Sequence, residues 1–352
     1  MLAGGSFLSE GGFQRSHGGA SLGLEDGLLD FSVNLNYYGP SERMVLAIQK
    51  EDFSQYPEDT SRALREKIAL KYGCKKEEIL VGNGATQILW QLARYFAPFP
   101  SMVVEPTFSE FAAALESYGA YPSRPFLHQV EGVLDKEKFR DVLKKSKPKV
   151  CYFCNPNSPT GHYVDHKELM ALFKDFPETT FILDQAFLPL SPFAKDMHAK
   201  REKNVFLLRS LTKDHAIAGL RLGYLIAPSK MCDYLSSHRP YWSVNRLAQR
   251  AGEVALEDTT FLEESMERIF RDKASMVARL REAGFRVFDG CTPFFLVKCE
   301  DASYLKGRLL EKGILVRDGS SYKLYEWVRL CARPKEKVDI LLAALKEACH
   351  VG

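Results

Sequence analysis

The chain is predicted to be an α/β protein, with a large domain on a mostly parallel sheet wrapped by helices and a small α+β domain after it. Three observations predict this. From residue 78 short apolar runs alternate with helix-like segments, and beyond about residue 250 the alternation stops. Each strand-like run in the alternating part is followed by a polar or glycine-bearing motif, which places those motifs at one edge of the sheet, where open α/β sheets bind ligands.

Residues 1–45 are rich in Gly, Asn, Asp and Pro and read as an arm that packs on the small domain; residues 46–250 form the large domain and 251–352 the small one. Tyr56 precedes Pro57 and is therefore extended. Thr60 or Ser61 caps a helix with Leu64, Ile68 and Tyr72 on one face, ended by Gly73. The strands are expected at Ile79 to Val81, Met102 to Val104, Val150 to Phe153, Phe181 to Leu183, Val205 to Leu208 and Leu222 to Ile226. After five of them come Gly82-Asn83-Gly84-Ala85-Thr86, Glu105-Pro106-Thr107-Phe108, Asn155 to Gly161, Asp184-Gln185-Ala186-Phe187 and Ser210 to Lys213. A long helix over Ala251 to Ala283 leads into the small domain.

Composition bounds the function. The 352 residues are 45% hydrophobic and 26% charged with a net charge of +3, an ordinary globular balance with no basic stripe for nucleic acid. No run of about 18 apolar residues and no leader-like segment is seen, so a cytoplasmic protein is expected. Eight cysteines are too few for a disulfide scaffold, and Cys151 and Cys154 read as buried structural thiols with no metal partner set.

The motifs carry chemistry. Lys213 follows a buried strand, and an amine there loses its proton and becomes a nucleophile only if burial or a neighbouring cation lowers its pKa from roughly 10.4. Asp184 ends another buried strand and must be paired. Gly84, Ala85 and Thr86 open a helix whose free N–H groups suit a phosphate, with Ser210 and Arg221 able to join them, and Phe108 could cover an aromatic ring. A lysine nucleophile, a carboxylate for a ring nitrogen, a stacking ring and a phosphate cup together suit pyridoxal 5′-phosphate, PLP.

The order and spacing of Asn-Pro-x-x-Pro-Thr-Gly, Asp-x-Ala-Phe and Ser-Leu-Thr-Lys resemble the fold-type I PLP-dependent enzymes of the aspartate aminotransferase superfamily, over nearly the whole chain. Within it the chain is similar to the branch of histidinol-phosphate aminotransferase and L-threonine-O-3-phosphate decarboxylase. His17-Gly18-Gly19, Asp30-Phe31-Ser32-x-Asn34-x-Asn36, Pro106 to Glu110, Arg317-Asp318-x-Ser320 and Phe187 favour the decarboxylase. The resemblance implies a seven-stranded sheet, Lys213 as Schiff-base lysine and Asp184 as partner of the ring nitrogen. It implies Gly84, Ala85, Thr86, Ser210 and Arg221 at the cofactor phosphate, Phe108 on the ring, Asn157 and Ser158 beside the cofactor, and Tyr56 reaching the site of a homodimer partner. Arg329 would take the substrate carboxylate, and Arg317 with His17, Gly18, Asn34 and Asn157 the rest of a phosphorylated amino acid. This chain carries Ser158 where the family usually has Asn, Phe187 for Tyr, Gln185 for Glu and Tyr37 for Pro. The expected reaction is decarboxylation of L-threonine O-3-phosphate in cobalamin side-chain synthesis, with amino transfer of the histidinol-phosphate type as the alternative.

Overall fold

The computed structural model describes residue 19 and residues 27–132 and 134–349. His17 and Gly18 lie outside the described residues. The chain enters through a two-residue strand, β1 (Leu29–Asp30), and two helices, α1 (Glu42–Gln49) and α2 (Arg62–Tyr72). The start of α2 differs from expectation. Ser61 is the cap but adopts a left-handed φ of 51° and makes no side-chain cap bond, and the Glu58 carboxylate instead accepts from the N–H groups of Thr60 and Arg62. A longer carboxylate thus serves the donors that helix geometry leaves free.

The apolar runs become six strands, β2 (Ile79–Asn83), β3 (Ser101–Val103), β4 (Val150–Cys154), β5 (Thr180–Asp184), β6 (Val205–Ser210) and β7 (Leu222–Ile226), in the spatial order β2-β7-β6-β5-β4-β3. From β3 to β6 neighbours run parallel; β7 is antiparallel to both β6 and β2. The near-continuous hydrophobicity of β4, Val-Cys-Tyr-Phe-Cys, follows from burial on both faces. Cys151 and Phe153 point into one apolar layer, with α2, α5 (Lys136–Ser146) and α6 (His166–Lys174). Tyr152 and Cys154 point into the other, with α3 (Gly84–Phe96) and α4 (Glu110–Ser117). Ile88, Leu89, Leu92 and Phe96 form the buried stripe of α3, each worth about 1.5–3 kcal/mol for full burial.

Seven strands were expected, and among the described residues the main sheet has six. The seventh place is held by residues 123–126, which bridge parallel to the β3 edge at Met102↔Ser123 and Glu105↔Phe126. Pro122 and Pro125 have no N–H to continue a ladder there, so the segment remains a pair of bridges.

The long helix expected over residues 251–283 is two helices. After α7 (Ser229–Ser237), α8 (Arg246–Glu257) packs with Leu64, Ile68 and Leu222 in the large-domain core, and α9 (Thr259–Glu282) begins after Asp258, which is not helical at ψ 67°. Residue 251, the expected junction, therefore lies inside a helix of the large-domain core. The small domain is an antiparallel sheet in the order β11-β12-β9-β8, formed by β8 (Val287–Phe288), β9 (Phe294–Lys298), β11 (Arg317–Asp318) and β12 (Trp327–Cys331). Between them β10 (Ile314–Leu315) pairs parallel with β1, so the arm is an added strand of this domain. Helices α10 (Ala302–Leu310) and α11 (Lys335–Cys349) close one face.

One contact sets the height of α3 over the sheet. A Cβ on Gly223, in β7, would lie 2.4 Å from the backbone nitrogen of Ala85 and 2.9 Å from the Arg209 carbonyl oxygen. Backbone cannot yield there as a flexible side chain could. Gly223→Ala is expected to lower unfolding free energy by about 3 kcal/mol or more and to displace the start of α3, checked by urea unfolding.

Candidate active site

The carboxyl ends of the strands and the small domain enclose a cavity of about 450 Å³. Lys213 and Asp184 both reach it from adjacent strands, as expected, since β5 and β6 are parallel neighbours. Asp184 is buried, and its carboxylate accepts from the Tyr152 hydroxyl at 2.7 Å and the Ala186 N–H at 2.9 Å. Burial raises its pKa, while those two donors and the Lys213 charge pull the other way. Burial lowers the pKa of Lys213, opposed chiefly by the Asp184 charge. The amine lies 5.1 Å from the centre of the Phe187 ring. An amine with little hydration and one buried carboxylate for counter-charge is suited to act as a nucleophile.

Beside them is a cup. Gly84 has φ +76°, a conformation that calls for glycine, and a Cβ on it would lie 2.6 Å from Nη2 of Arg221, whose side chain would have to move aside. Ala85 and Thr86, the next residues of α3, line the cavity with Ser210, Thr212 and Arg221. Ser210 and Thr212 share a hydroxyl–hydroxyl hydrogen bond of 2.7 Å. Because β7 runs against the other strands, Arg221 at its start and Ser210 at the end of β6 fall on the same edge. Free helix N–H groups, two hydroxyls and a guanidinium make an anion site of phosphate type. Phe108 lines the opposite wall.

Ser158 and Asn157 part company. Asn157 is fully buried and does not line the cavity; its Nδ2 donates to the Pro106 carbonyl and to Thr160 Oγ1, and its Oδ1 accepts from Thr107. Its role here is to hold the loop. Ser158 faces the cavity, and its hydroxyl accepts from Nη1 of Arg329 at 2.9 Å. Nη2 of Arg329 donates to the Ser32 carbonyl, also at 2.9 Å, and its buried Nε has no hydrogen-bond partner. Asn34 lines the same wall with a buried, unpartnered Oδ1. Arg317 is the direct cross-strand partner of Arg329, and its guanidinium lies 4.9 Å from the centre of the Tyr322 ring. Burial raises the Tyr322 pKa, but Arg329 and Arg317 more than offset it. Tyr56 is remote from this cavity, 76% exposed and stacked on Trp242 at 4.5 Å.

Several functional side chains have only a faint signal in the sequence. Tyr152 stands in an apolar strand where a buried hydroxyl needs a partner, a cue to the acid on the next strand. Thr212 follows the hydroxyl at Ser210. Cys154, expected as a core thiol, lines the cavity while donating to the Pro156 carbonyl at 3.3 Å. Nothing local marks Tyr322 or the Ser32 carbonyl.

Comparison with known proteins is decisive for the family. The model of the family "Aminotransferase class I and II" matches residues 26–345. The chain belongs to that family. As a member, this PLP-dependent enzyme is 31% identical, over 96% of itself and 94% of the relative, to a candidate threonine-phosphate decarboxylase of Caldanaerobacter subterraneus. It is 28% identical to histidinol-phosphate aminotransferase 2 of Carboxydothermus hydrogenoformans, over 84% of each chain. The structure of L-threonine-O-3-phosphate decarboxylase from Porphyromonas gingivalis superposes with a TM-score of 0.79 at 25% identity, covering 90% of this chain and 98% of that one. The aminotransferase-family fold accounts for the mixed sheet and the small domain, and the residues present fit PLP. Gly84 leaves room that a side chain would fill, the cup is cationic, and the buried Asp184 has a free face toward the cavity. Among the described residues no helix is long and apolar enough to cross a membrane.

The lowered pKa of Lys213 has a measurable sign. In cofactor-free protein, the rate at which an aldehyde modifies Lys213, read by borohydride trapping and peptide mapping, should reach its half-maximum below the ordinary lysine value of roughly 10.4. The Asp184 charge raises the lysine pKa, so Asp184→Asn should move that midpoint lower still. A midpoint at or above the free-lysine value in the wild type would contradict a desolvated amine.

Proposed function

We propose that this enzyme decarboxylates L-threonine O-3-phosphate to (R)-1-aminopropan-2-yl phosphate. The observation that carries the reading is the pair of buried guanidiniums, Arg317 and Arg329, opposed across β11 and β12 with the Tyr322 phenol beside both. Two fixed cations beyond Lys213 and the Arg221 of the cup suit a substrate with two anionic groups, a carboxylate and a phosphate. Histidinol phosphate has a phosphate and no carboxylate, so it would use only one of them. The name of the 31% identical relative supports the same substrate.

When bound, PLP supplies an electron sink for the bond at the substrate α-carbon that stands perpendicular to its ring. The protein's contribution is to choose that bond and to handle the proton. Arg329, braced by Ser158 and the Ser32 carbonyl, would grip the carboxylate; Arg317 would hold the phosphate, with Asn34 on the wall between them. Two grips fix the torsion about the α-carbon, which one grip would leave free. Lys213 Nζ, poorly solvated and close to Asp184, is the group placed to return a proton to the α-carbon once carbon dioxide has left. Tyr152 and the Ala186 N–H hold the Asp184 carboxylate, which would pair with the cofactor's ring nitrogen. The same reading includes a homodimer in which Tyr56, exposed in the single chain, would reach the partner's cofactor phosphate.

A second reading, amino transfer, draws on the 28% identical relative and on the fact that two cations also suit a dicarboxylic amino acceptor. Holoenzyme given L-threonine O-3-phosphate should release carbon dioxide with no keto acid present, and Arg329→Ala should lower kcat/KM by about 100-fold, the scale of a buried charge-assisted pair. Glutamate formed from histidinol phosphate and 2-oxoglutarate, without carbon dioxide release, would establish the aminotransferase instead.

A further inference from the structure

Arg329 is braced by two groups from opposite sides of the cavity, and both braces lead to one turn of α9. The first is the Ser32 carbonyl, carried by the arm. After Ser32 the arm crosses to the lysine loop, where Asn36 donates through its backbone N–H to the Lys213 carbonyl at 2.8 Å and through Nδ2 to the Asp214 carbonyl at 3.0 Å. It then presents Tyr37 and Tyr38, with ring centres 4.6 Å apart, whose hydroxyls both donate to Oδ2 of Asp272 at 2.5 and 2.9 Å. Asp272 belongs to α9, so the far end of the arm is fastened to that helix.

The second brace is Ser158, on the loop ending at Gly161. That loop touches the turn before β9 backbone to backbone: the Cys291 N–H donates to the Gly161 carbonyl at 2.8 Å, and a Cβ on Gly290 would lie 2.5 Å from the same oxygen. The turn is held by Lys273, 4% exposed, whose ammonium donates to the Gly290 carbonyl and pairs with Asp289, each at 2.5 Å. Lys273 follows Asp272 directly. Consecutive helix residues diverge by about 100° around the axis, which lets one turn reach the arm with its anion and the β8–β9 turn with its cation. Neither residue lines the cavity.

We propose that Asp272 and Lys273 are positioning residues for Arg329: through Tyr37 and Tyr38 on one side and the Gly290–Gly161 contact on the other, they fix the two braces that aim its guanidinium at a substrate carboxylate. This rests on the reading of Arg329 as the carboxylate seat. It also gives a role to Tyr37, which stands where the family usually has proline: its hydroxyl adds a second donor to Asp272 Oδ2 beside that of Tyr38, which proline could not supply. Asn36 also ties the arm to the Lys213 and Asp214 carbonyls on its own account, so loosening the clamp at Tyr37 and Tyr38 leaves that tie in place and acts on ligands with a carboxylate more than on those without one.

The test uses holoenzyme and two ligands that differ only by that carboxylate, L-threonine O-3-phosphate and (R)-1-aminopropan-2-yl phosphate, with dissociation constants read from the initial absorbance change of the bound cofactor on mixing. Asp272→Ala and the double variant Tyr37→Phe/Tyr38→Phe should weaken the first ligand by about threefold to tenfold, the scale of one or two lost hydrogen bonds, and the second by less than about twofold. Asp272→Asn, which keeps an acceptor oxygen for both hydroxyls, should restore most of the loss. Lys273→Met should show the same selectivity; if it does not fold, the Asp272 and tyrosine variants decide alone. Arg329→Ala is the reference. If it fails to weaken the carboxylate ligand selectively, the reading of Arg329 falls. If it does so while the Asp272 and tyrosine variants change both ligands equally or neither, the clamp is overturned. A general loss of stability would lower the melting temperature without changing the ratio of the two constants.

Discussion

Everything in this molecule depends on burying a lysine and an aspartate side by side at the edge of a parallel sheet. Either group alone would be costly there, since a lone buried charge loses hydration that nothing replaces. Together they are tolerable because Tyr152 and a backbone N–H satisfy the carboxylate and because the amine can give up its proton. The desolvation that makes the pair expensive also gives it chemical use: it makes the lysine more readily neutral and leaves the carboxylate a strong partner for a cationic ring. The sheet can bear this cost because its apolar layers on both faces supply the compensating stability.

The two halves of the cavity are built by different means. The cofactor side is a backbone construction, with close approach of β7 to the start of α3, a left-handed glycine and a helix terminus, so its precision comes from main-chain packing. The small-domain side is a side-chain construction, in which Arg329 reaches the cavity from a short antiparallel strand and is held by hydrogen bonds from distant segments, while Arg317 stands beside it on the neighbouring strand and donates to Ser321. Variation in specificity at constant cofactor is physically easier with that arrangement, because side-chain braces can be exchanged without disturbing the sheet.

What the sequence made legible follows the same division. Strands and the motifs at their ends were readable because apolar runs and the residues that stop them are local: Lys213, Asp184, Gly84, Ser210 and Arg221 all fall at one edge as their positions after strands, or before the reversed β7, require. The break at Asp258 was hidden because the residues around it keep helical periodicity, and only the docking of α8 on α2 and of α9 elsewhere separates them. Pro122 and Pro125 concealed the edge segment for the opposite reason, since their presence argues against a strand and two bridges form regardless. Asn157 and Ser158 were indistinguishable by position, and their different directions come from the loop's bonds to Pro106 and Thr160. Tyr322 was invisible because its role is created by two arginines placed beside it by strand pairing.

The reversed direction of β7 has a consequence in time as well as space. It lets Ser210, Thr212, Lys213 and Arg221 come from a single excursion of the chain, so this edge of the cavity is present in the nascent polypeptide once Arg221 has been made. Arg317 and Arg329 emerge about a hundred residues later, and domains form in the order in which they are synthesised. A ribosome-bound chain would thus carry the cup and the buried lysine well before Tyr322 and Arg329, the small-domain residues that line the same cavity, arrive to close over them.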